Sequence, residues 1–154
     1  MKVFILNPPF GADFCRSARW AAKSRGRVQR HPDALLIAAA VLEQAGHEVR
    51  FLDAAALNLG RQEVLAQMAA FRPQLAVLHT TTPSIYSDLE YAVLAQESGA
   101  KCSVLVGPHV SALPEETLAL RKDGLNVIVA RGEYDFTLRD IADGSPLEDI
   151  CGIS

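Results

Sequence analysis

At 154 residues, with 49% hydrophobic and 21% charged residues, the chain has the composition of one folded domain with a single good core, which excludes a disordered segment. A formal charge of −3 excludes a global electrostatic pull toward nucleic acid. No window approaches the ~20 apolar residues of a membrane span, and Met1 to Leu6 lacks the long apolar region and cleavage site of a signal peptide, so a cytoplasmic protein with neither nucleic acid nor membrane as partner is expected.

Lys2 to Leu6 is short, apolar and rich in β-branched residues, as befits a strand covered on both faces. Asn7, Pro8, Pro9 and Phe10 end it, because two prolines remove backbone donors. A segment without periodicity follows to His31, carrying Arg16, Arg19, Lys23, Arg25, Arg27 and Arg30 against Asp13 alone. Structureless stretches of that length are uncommon in compact domains and are usually functional or disordered. From Asp33, Leu35, Leu36, Ala39, Val41 and Leu42 describe a helix that Gly46 closes. His47 to Asp53 reads as a second strand, Arg61 to Phe71 as a helix stopped by Pro73, and Leu75 to Leu78 as a third strand. Ser84 caps a helix through Ser98, Lys101 to Val106 is a fourth strand, and Pro114 opens a helix to Lys122 with Glu115 and Glu116 in its first turn. Asn126 to Ala130 and Phe136 to Ala142 make a fifth strand and a last helix.

Nearly continuous apolar strands alternating with helices predict an α/β fold: a five-stranded parallel sheet with helices on both faces. Right-handed crossovers leave few topologies, of which the flavodoxin-like (Rossmann-like) order 2-1-3-4-5 fits five strands best.

In such a sheet the carboxyl ends of the strands form the ligand edge. The corners gathered there are Asn7 to Phe10, Asp53 to Ala55, Thr80, Thr81, Thr82 with Pro83 and Ser84, then Gly107, Pro108, His109 and Val110, and finally Arg131, Gly132 and Glu133. They offer hydroxyls, prolines and backbone amides but few acid-base or nucleophilic groups, so binding rather than bond-making is expected and no catalytic residue is nominated. The threonines either cap a turn or touch a ligand. Gly107 either supplies a conformation closed to other residues or admits a ligand closely. His109 is a hydrogen-bonded loop histidine or a ligand contact, and Trp20 packs on the core or stacks on a partner. Asp53 invites a ribose-binding role, yet Asn7-Pro-Pro-Phe-Gly11 is not Gly-x-Gly-x-x-Gly, and no P-loop motif is present. Cys15, Cys102 and Cys151 are odd in number and widely separated, suggesting reduced thiols and no metal site.

Taken in order, Lys-Val-Phe-Ile-Leu-Asn-Pro-Pro, Ala-Gly-His-Glu-Val at Ala45 to Val49, Thr-Thr-Thr-Pro-Ser at Thr80 to Ser84, Gly-Pro-His-Val at Gly107 to Val110, Ala-Leu-Pro-Glu-Glu at Ala112 to Glu116 and Arg-Gly-Glu at Arg131 to Glu133 resemble the N-terminal cobalamin-binding domain of radical S-adenosylmethionine (radical SAM) enzymes. The resemblance implies a domain over residues 1–146 whose strand ends hold cobalamin, and a segment 147–154 leading toward a C-terminal radical SAM domain. By the same analogy Thr80 to Ser84 and Gly107 to Val110 line the pocket of the nucleotide tail, while Asn7, Pro8, Pro9 and Phe10 lie near the corrin rim and Gly132 and Glu133 complete the edge. The Asp-x-His-x-x-Gly motif whose His binds cobalt in other cobalamin proteins is missing, since Asp13-Phe-Cys-Arg16 lacks the His; base-off cobalamin without a protein His ligand is implied. The double glycine of the fourth strand is reduced to Val106-Gly107. The Cys-x-x-x-Cys-x-x-Cys that would hold an iron-sulfur cluster is absent, so the cluster and S-adenosylmethionine belong to a parent enzyme performing methyl transfer or a related radical reaction. Two alternatives stand beside this. One is a cofactor-free structural domain that positions a radical SAM barrel through the basic Arg16 to Arg30 segment. The other is a nucleotide-sugar-binding half of a transferase, where Gly-His-Glu-Val also occurs.

Overall fold

A computed structural model describes residues 1–17, 21–24 and 28–154. Arg19, Trp20, Arg25 and Arg27, on which part of the basic-segment expectation rests, lie outside the described residues.

The chain opens with β1 (Lys2–Asn7), followed by a two-residue antiparallel pair, β2 (Phe14–Cys15) and β3 (Ala22–Lys23), then α1 (Asp33–Gln44), β4 (Glu48–Asp53), α2 (Arg61–Phe71) and β5 (Leu75–His79). A 3-10 turn at Thr82–Ser84 leads into α3 (Ile85–Glu97), then β6 (Cys102–Val106), α4 (Pro108–Ala112), α5 (Pro114–Ala119), β7 (Val127–Val129) and α6 (Asp135–Asp143). The main sheet is parallel with order β4-β1-β5-β6-β7, which is 2-1-3-4-5 once the small hairpin is set aside.

The register explains the two-sided core. In β1, Val3 and Ile5 face one side and Phe4 and Leu6 the other, the period of two that a pleated strand imposes. Val3 and Ile5 join Val77, Val104 and Val106 beneath Leu35, Ala38 and Leu42 of α1 and Leu138 of α6. Phe4 and Leu6 join Leu78 and Leu105 beneath Val64, Met68 and Phe71 of α2 and Leu89 and Ala92 of α3. At about 1.5–3 kcal/mol for each fully buried large side chain, these two layers supply the main stabilisation. They also fix the strand ends, because a slip of one residue would turn every core side chain to the wrong layer.

α1 ends as expected. Gly46 adopts φ +84°, and the amides of Gly46 and His47 return to the carbonyls of Glu43 and Leu42, the paired bonds of a Schellman cap.

Three details depart from the sequence reading. The basic segment carries the β2–β3 hairpin, too short to leave a periodic signal. Helix resumes at Pro108 rather than Pro114: Gly107 turns the chain, Pro108 suits a first helical turn, and Ser111 bonds back to the Gly107 carbonyl through both amide and hydroxyl. α5 stops at Ala119, short of Lys122. At the sheet edge, Ile153 bridges Ala130 in antiparallel fashion and Ser154 exchanges both backbone bonds with Val129, so residues 152–154 cover the open side of β7. No helix among the described residues is long and apolar enough to cross a membrane.

Candidate functional site

Parallel pairing brings Asn7, Asp53, His79, Val106 and Ala130 to one edge. The predicted site residues collect there but do not converge on one cavity.

Asn7 is buried, and its side-chain amide donates to Asp53 Oδ1 at 2.8 Å; the Ala56 amide donates to the same oxygen at 3.1 Å. Asp53 thus closes the β1–β4 corner from within and is not set out for a ribose. Pro8 is buried. Phe10 packs edge-on against Phe14 with ring centroids 5.0 Å apart, and Pro9 lines a cleft of about 550 Å³ with Gly11, Asn58, Arg61 and Tyr91.

The threonine corner is a knot. Thr80 donates its hydroxyl to the Val106 carbonyl at 2.8 Å, tying β5 to β6 beyond the last ladder bond. The Thr81 and Ser84 hydroxyls lie 2.6 Å apart, and Ser84 donates to Asp88 Oδ2 at 2.7 Å. Ser84 therefore precedes α3 without making the expected side-chain cap. Asp88 also receives Arg16 Nη2 at 2.8 Å, an ion pair with no exposed side-chain surface on either partner, and the same nitrogen donates to the His79 carbonyl at 2.7 Å. Burial pushes the Asp88 carboxyl up, while Arg16, Ser84 and the Thr81 amide pull it back. Thr82 alone of the three threonines is exposed, with its hydroxyl 3.2 Å from His109 Nδ1; His109 and Val110 are buried.

The alternatives at Gly107 are resolved by the chain itself. Its φ is +112°, and a Cβ there would meet the Thr80 carbonyl oxygen at 2.6 Å and His79 Cδ2 at 2.9 Å. Glycine is required by backbone conformation and by the imidazole lying against it. That imidazole is buried, and burial, reinforced by the Arg16 charge, lowers its pKa to about 3, so it is neutral at physiological pH.

Beside this knot opens a cleft of about 340 Å³, bounded by Arg16, Ser17, His79, Pro108, Tyr134 and Leu35, with His31 and Asp33 at its exposed mouth. Gly132 and Glu133 are exposed and line a neighbouring cleft of about 350 Å³ with Ile37 and Tyr134; Ser111 Oγ accepts the Gly132 amide at 3.0 Å. Behind this lining, Arg16 Nε and Nη1, Ser17 Oγ and His79 Nδ1 are buried without hydrogen-bond partners among the described residues, as are Asn7 Oδ1, Asp88 Oδ1 and His109 Nε2. Such groups ordinarily cost about 1–3 kcal/mol each.

Sequence reasoning missed Arg16, Asp88 and Tyr134. Asp88 left a signal: it falls on the apolar stripe of α3 with Ile85, Leu89 and Ala92, where a carboxylate must be paired. Arg16 left none, because nothing distinguishes it from its basic neighbours. The expectation that the basic segment docks outward is corrected at this residue, which is turned into the protein and spent on Asp88. Among the described residues no group of His, Cys, Asp and Glu is arranged to hold a metal ion.

Comparison with known proteins follows the same lines. The chain is 28% identical to the uncharacterized methyltransferase PH0819 of Pyrococcus horikoshii over an alignment covering 100% of this chain and 32% of that protein. Its fold superimposes on the cobalamin-dependent S-adenosylmethionine radical enzyme OxsB with aqua-cobalamin and S-adenosylmethionine bound, with a TM-score of 0.73 at 15% identity, covering 99% of this chain and 20% of that one. For apo OxsB the TM-score is 0.64 at 12% identity. The chain thus spans about a third of the curated relative's length and a fifth of the solved chains'. The B12 binding domain model matches residues 25–140, well over half of the chain, and the protein belongs to that family.

Proposed function

We propose that this chain is the cobalamin-binding module of a cobalamin-dependent radical SAM enzyme and carries no bond-making chemistry of its own. The observation that carries the proposal is the match of residues 25–140 to the B12 binding domain, on a sheet whose carboxyl edge opens a cleft of about 340 Å³. The residues fit such a ligand. Leu35, Pro108 and Tyr134 offer apolar walls, and at about 340 Å³ the cleft is near the lower end of ligand pockets, ~300–1,000 Å³, suited to a slim part of a large molecule. Thr80, Thr81 and Ser84 shape the wall from behind, Asn7, Pro8, Gly107, His109 and Val110 fix the turns, and Thr82, Gly132, Glu133, Pro9 and Phe10 would lie on the rim facing the corrin.

When bound, the cobalt of the corrin supplies a centre that carries and releases a methyl group. The protein excludes water from the part of the ligand that the cleft holds. Cys15 is buried and Asp13-Phe-Cys-Arg16 holds no His, in keeping with binding without a protein His ligand; the base-off form is part of the proposal. A radical SAM domain of the parent enzyme would bring the iron-sulfur cluster, S-adenosylmethionine and the substrate.

A second reading, a scaffold without cofactor, draws support from Gly107, whose open side is filled by His79 and Thr80. Titration of the purified chain with hydroxocobalamin and methylcobalamin, followed by visible absorption, separates the two. A saturable shift reporting loss of the benzimidazole ligand is expected. A folded chain that produces no shift would overturn the cobalamin proposal in favour of the scaffold.

A further inference from the structure

The cleft of about 550 Å³ opens against the other core layer from the one proposed for cobalamin: Tyr91 belongs with α2 and α3, whereas Leu35 and Tyr134 belong with α1 and α6. Pro9, Ala55 and Leu59 give it an apolar lining, and Asn58, Arg61 and Tyr91 a polar one. Three features of that lining point the same way. Tyr91 is only 6% exposed, yet its hydroxyl bonds to no described residue and is not sealed from solvent, so it opens on the cleft. A phenol buried to that extent ordinarily finds a partner. The eleven-residue α2 begins at the same place: Glu63 takes the Gly60 amide at 2.6 Å, while the amides of Arg61 and Gln62 bond to no group of the chain and point back over Leu59 and Gly60. Arg61 engages Glu90 through Nη1 alone, at 2.6 Å, and its half-exposed side chain keeps Nε and Nη2 for a further acceptor.

All these groups donate. Burial pushes the Tyr91 phenol up, so it keeps its proton and can give it to an acceptor. A guanidinium and the first turn of a helix favour an oxyanion over a neutral oxygen. Two carboxylates stand beside them, Glu90 on Arg61 and Glu63 on Gly60, so the balance of charge suits one small anionic head and not a polyanion. We propose that this cleft binds a small molecule whose phosphate or carboxylate head sits among the Tyr91 hydroxyl, the Arg61 guanidinium and the first amides of α2, with an apolar body against Pro9, Ala55 and Leu59. Its volume falls inside the ~300–1,000 Å³ range of small-molecule pockets. The site stands whether or not the opposite cleft takes a corrinoid.

The test titrates phenyl phosphate, benzoate and neutral benzyl alcohol into the nitrogen-15-labelled chain and follows its amide resonances. The amides of Arg61 and Gln62 should shift saturably with at least one of the two anions and not with the alcohol, and the tighter anion identifies the head group. Tyr91→Phe keeps the ring in the core and removes only the hydroxyl. Because that hydroxyl has no partner in the chain, the urea midpoint should stay where it is while affinity for the anion falls about tenfold, as the loss of a hydrogen bond to a charged group implies. Arg61→Gln should weaken the anion similarly. A folded wild-type chain that shifts with neither anion, or with the alcohol equally, overturns the proposal, as does a Tyr91→Phe chain that binds as tightly as wild type. A Tyr91→Phe chain of clearly lower stability would show the hydroxyl to be fastened inside the core and would overturn it too. None of these results touches the cobalamin reading, which the corrinoid titration decides.

Discussion

Two neighbouring patches of the carboxyl edge use polar residues in opposite ways. In the threonine corner, the hydroxyls of Thr80, Thr81 and Ser84 bond to carbonyls, to one another or to Asp88 and are buried. Across the His79 backbone, Arg16 Nε and Nη1, Ser17 Oγ and His79 Nδ1 are buried with no partner among the described residues. The first patch is a fastening between β5, β6 and α3; the second leaves polar atoms buried behind the lining of a cleft. Hydroxyl-rich corners advertise themselves in a sequence, but the hydroxyls of this one are spent inward. The Arg16 guanidinium belongs to both patches and is where the comparison can be broken.

Arg16→Ala should have the largest effect. It leaves Asp88 buried and unpaired, and losing one partner of such a pair typically costs about 3–5 kcal/mol. The double substitution Arg16→Met, Asp88→Leu should restore part of that stability, since both charges go together while the Thr81 amide and the Ser84 hydroxyl lose the carboxylate they donate to. Urea denaturation of the single and double variants measures the difference. If the double variant is as unstable as the single one, the fastening depends on charge itself and the two patches cannot be separated.

His79 gives a smaller, pH-dependent effect. Its folded pKa lies near 3 against an ordinary 6.5, because burial and then Arg16 disfavour the imidazolium. Above pH 6.5 the imidazole is neutral in both folded and unfolded chains; as pH falls below 6.5 the unfolded chain gains a proton that the folded one refuses. Stability should fall on acidification from pH 6.5 toward 3, by up to about 1.4 kcal/mol per pH unit. Asp88, whose folded pKa is raised, works in the opposite sense: its contribution is present below its ordinary 3.8 and lost as pH rises above it, so it flattens the lower part of the same window. His79→Gln should remove most of the acid slope between pH 6.5 and 5, measured as urea midpoints at successive pH values. An unchanged slope would mean that another group sets it.

How much of this was legible in the sequence follows from the range of each interaction. Strand order, helix faces and the Gly46 cap depend on periodicity and on single residues with narrow conformational roles, and they emerged as read. The ligand edge followed from topology. The partners of that edge did not, because Arg16 and Asp88 are separated by β3, α1, β4, α2 and β5, and pairing at such distance leaves no local pattern. The stripe of α3 held half of the information, a carboxylate among apolar residues, while the other half was hidden among interchangeable arginines. Gly107 was recognised as special, but its two explanations were separable only when the His79 ring and the Thr80 carbonyl were seen against it.

Thr80→Val is the smallest change and sharpens the contrast most. The substitution keeps the shape of the side chain and removes the bond to the Val106 carbonyl, which still accepts the Thr80 amide at 2.8 Å. No buried acceptor is left wholly unsatisfied, so the cost should be about 0.5–1.5 kcal/mol, the net worth of one hydrogen bond. Corrinoid affinity should not change, because the hydroxyl faces the fastening and not the cleft. Urea denaturation and an absorption titration on the same preparation read the two quantities independently. A variant with near-normal stability and weakened corrinoid binding would place the threonine corner in the ligand's reach and erase the division between the patches; the expected pattern, slightly lower stability with binding intact, keeps the threonine corner a fastening and leaves recognition to the cleft.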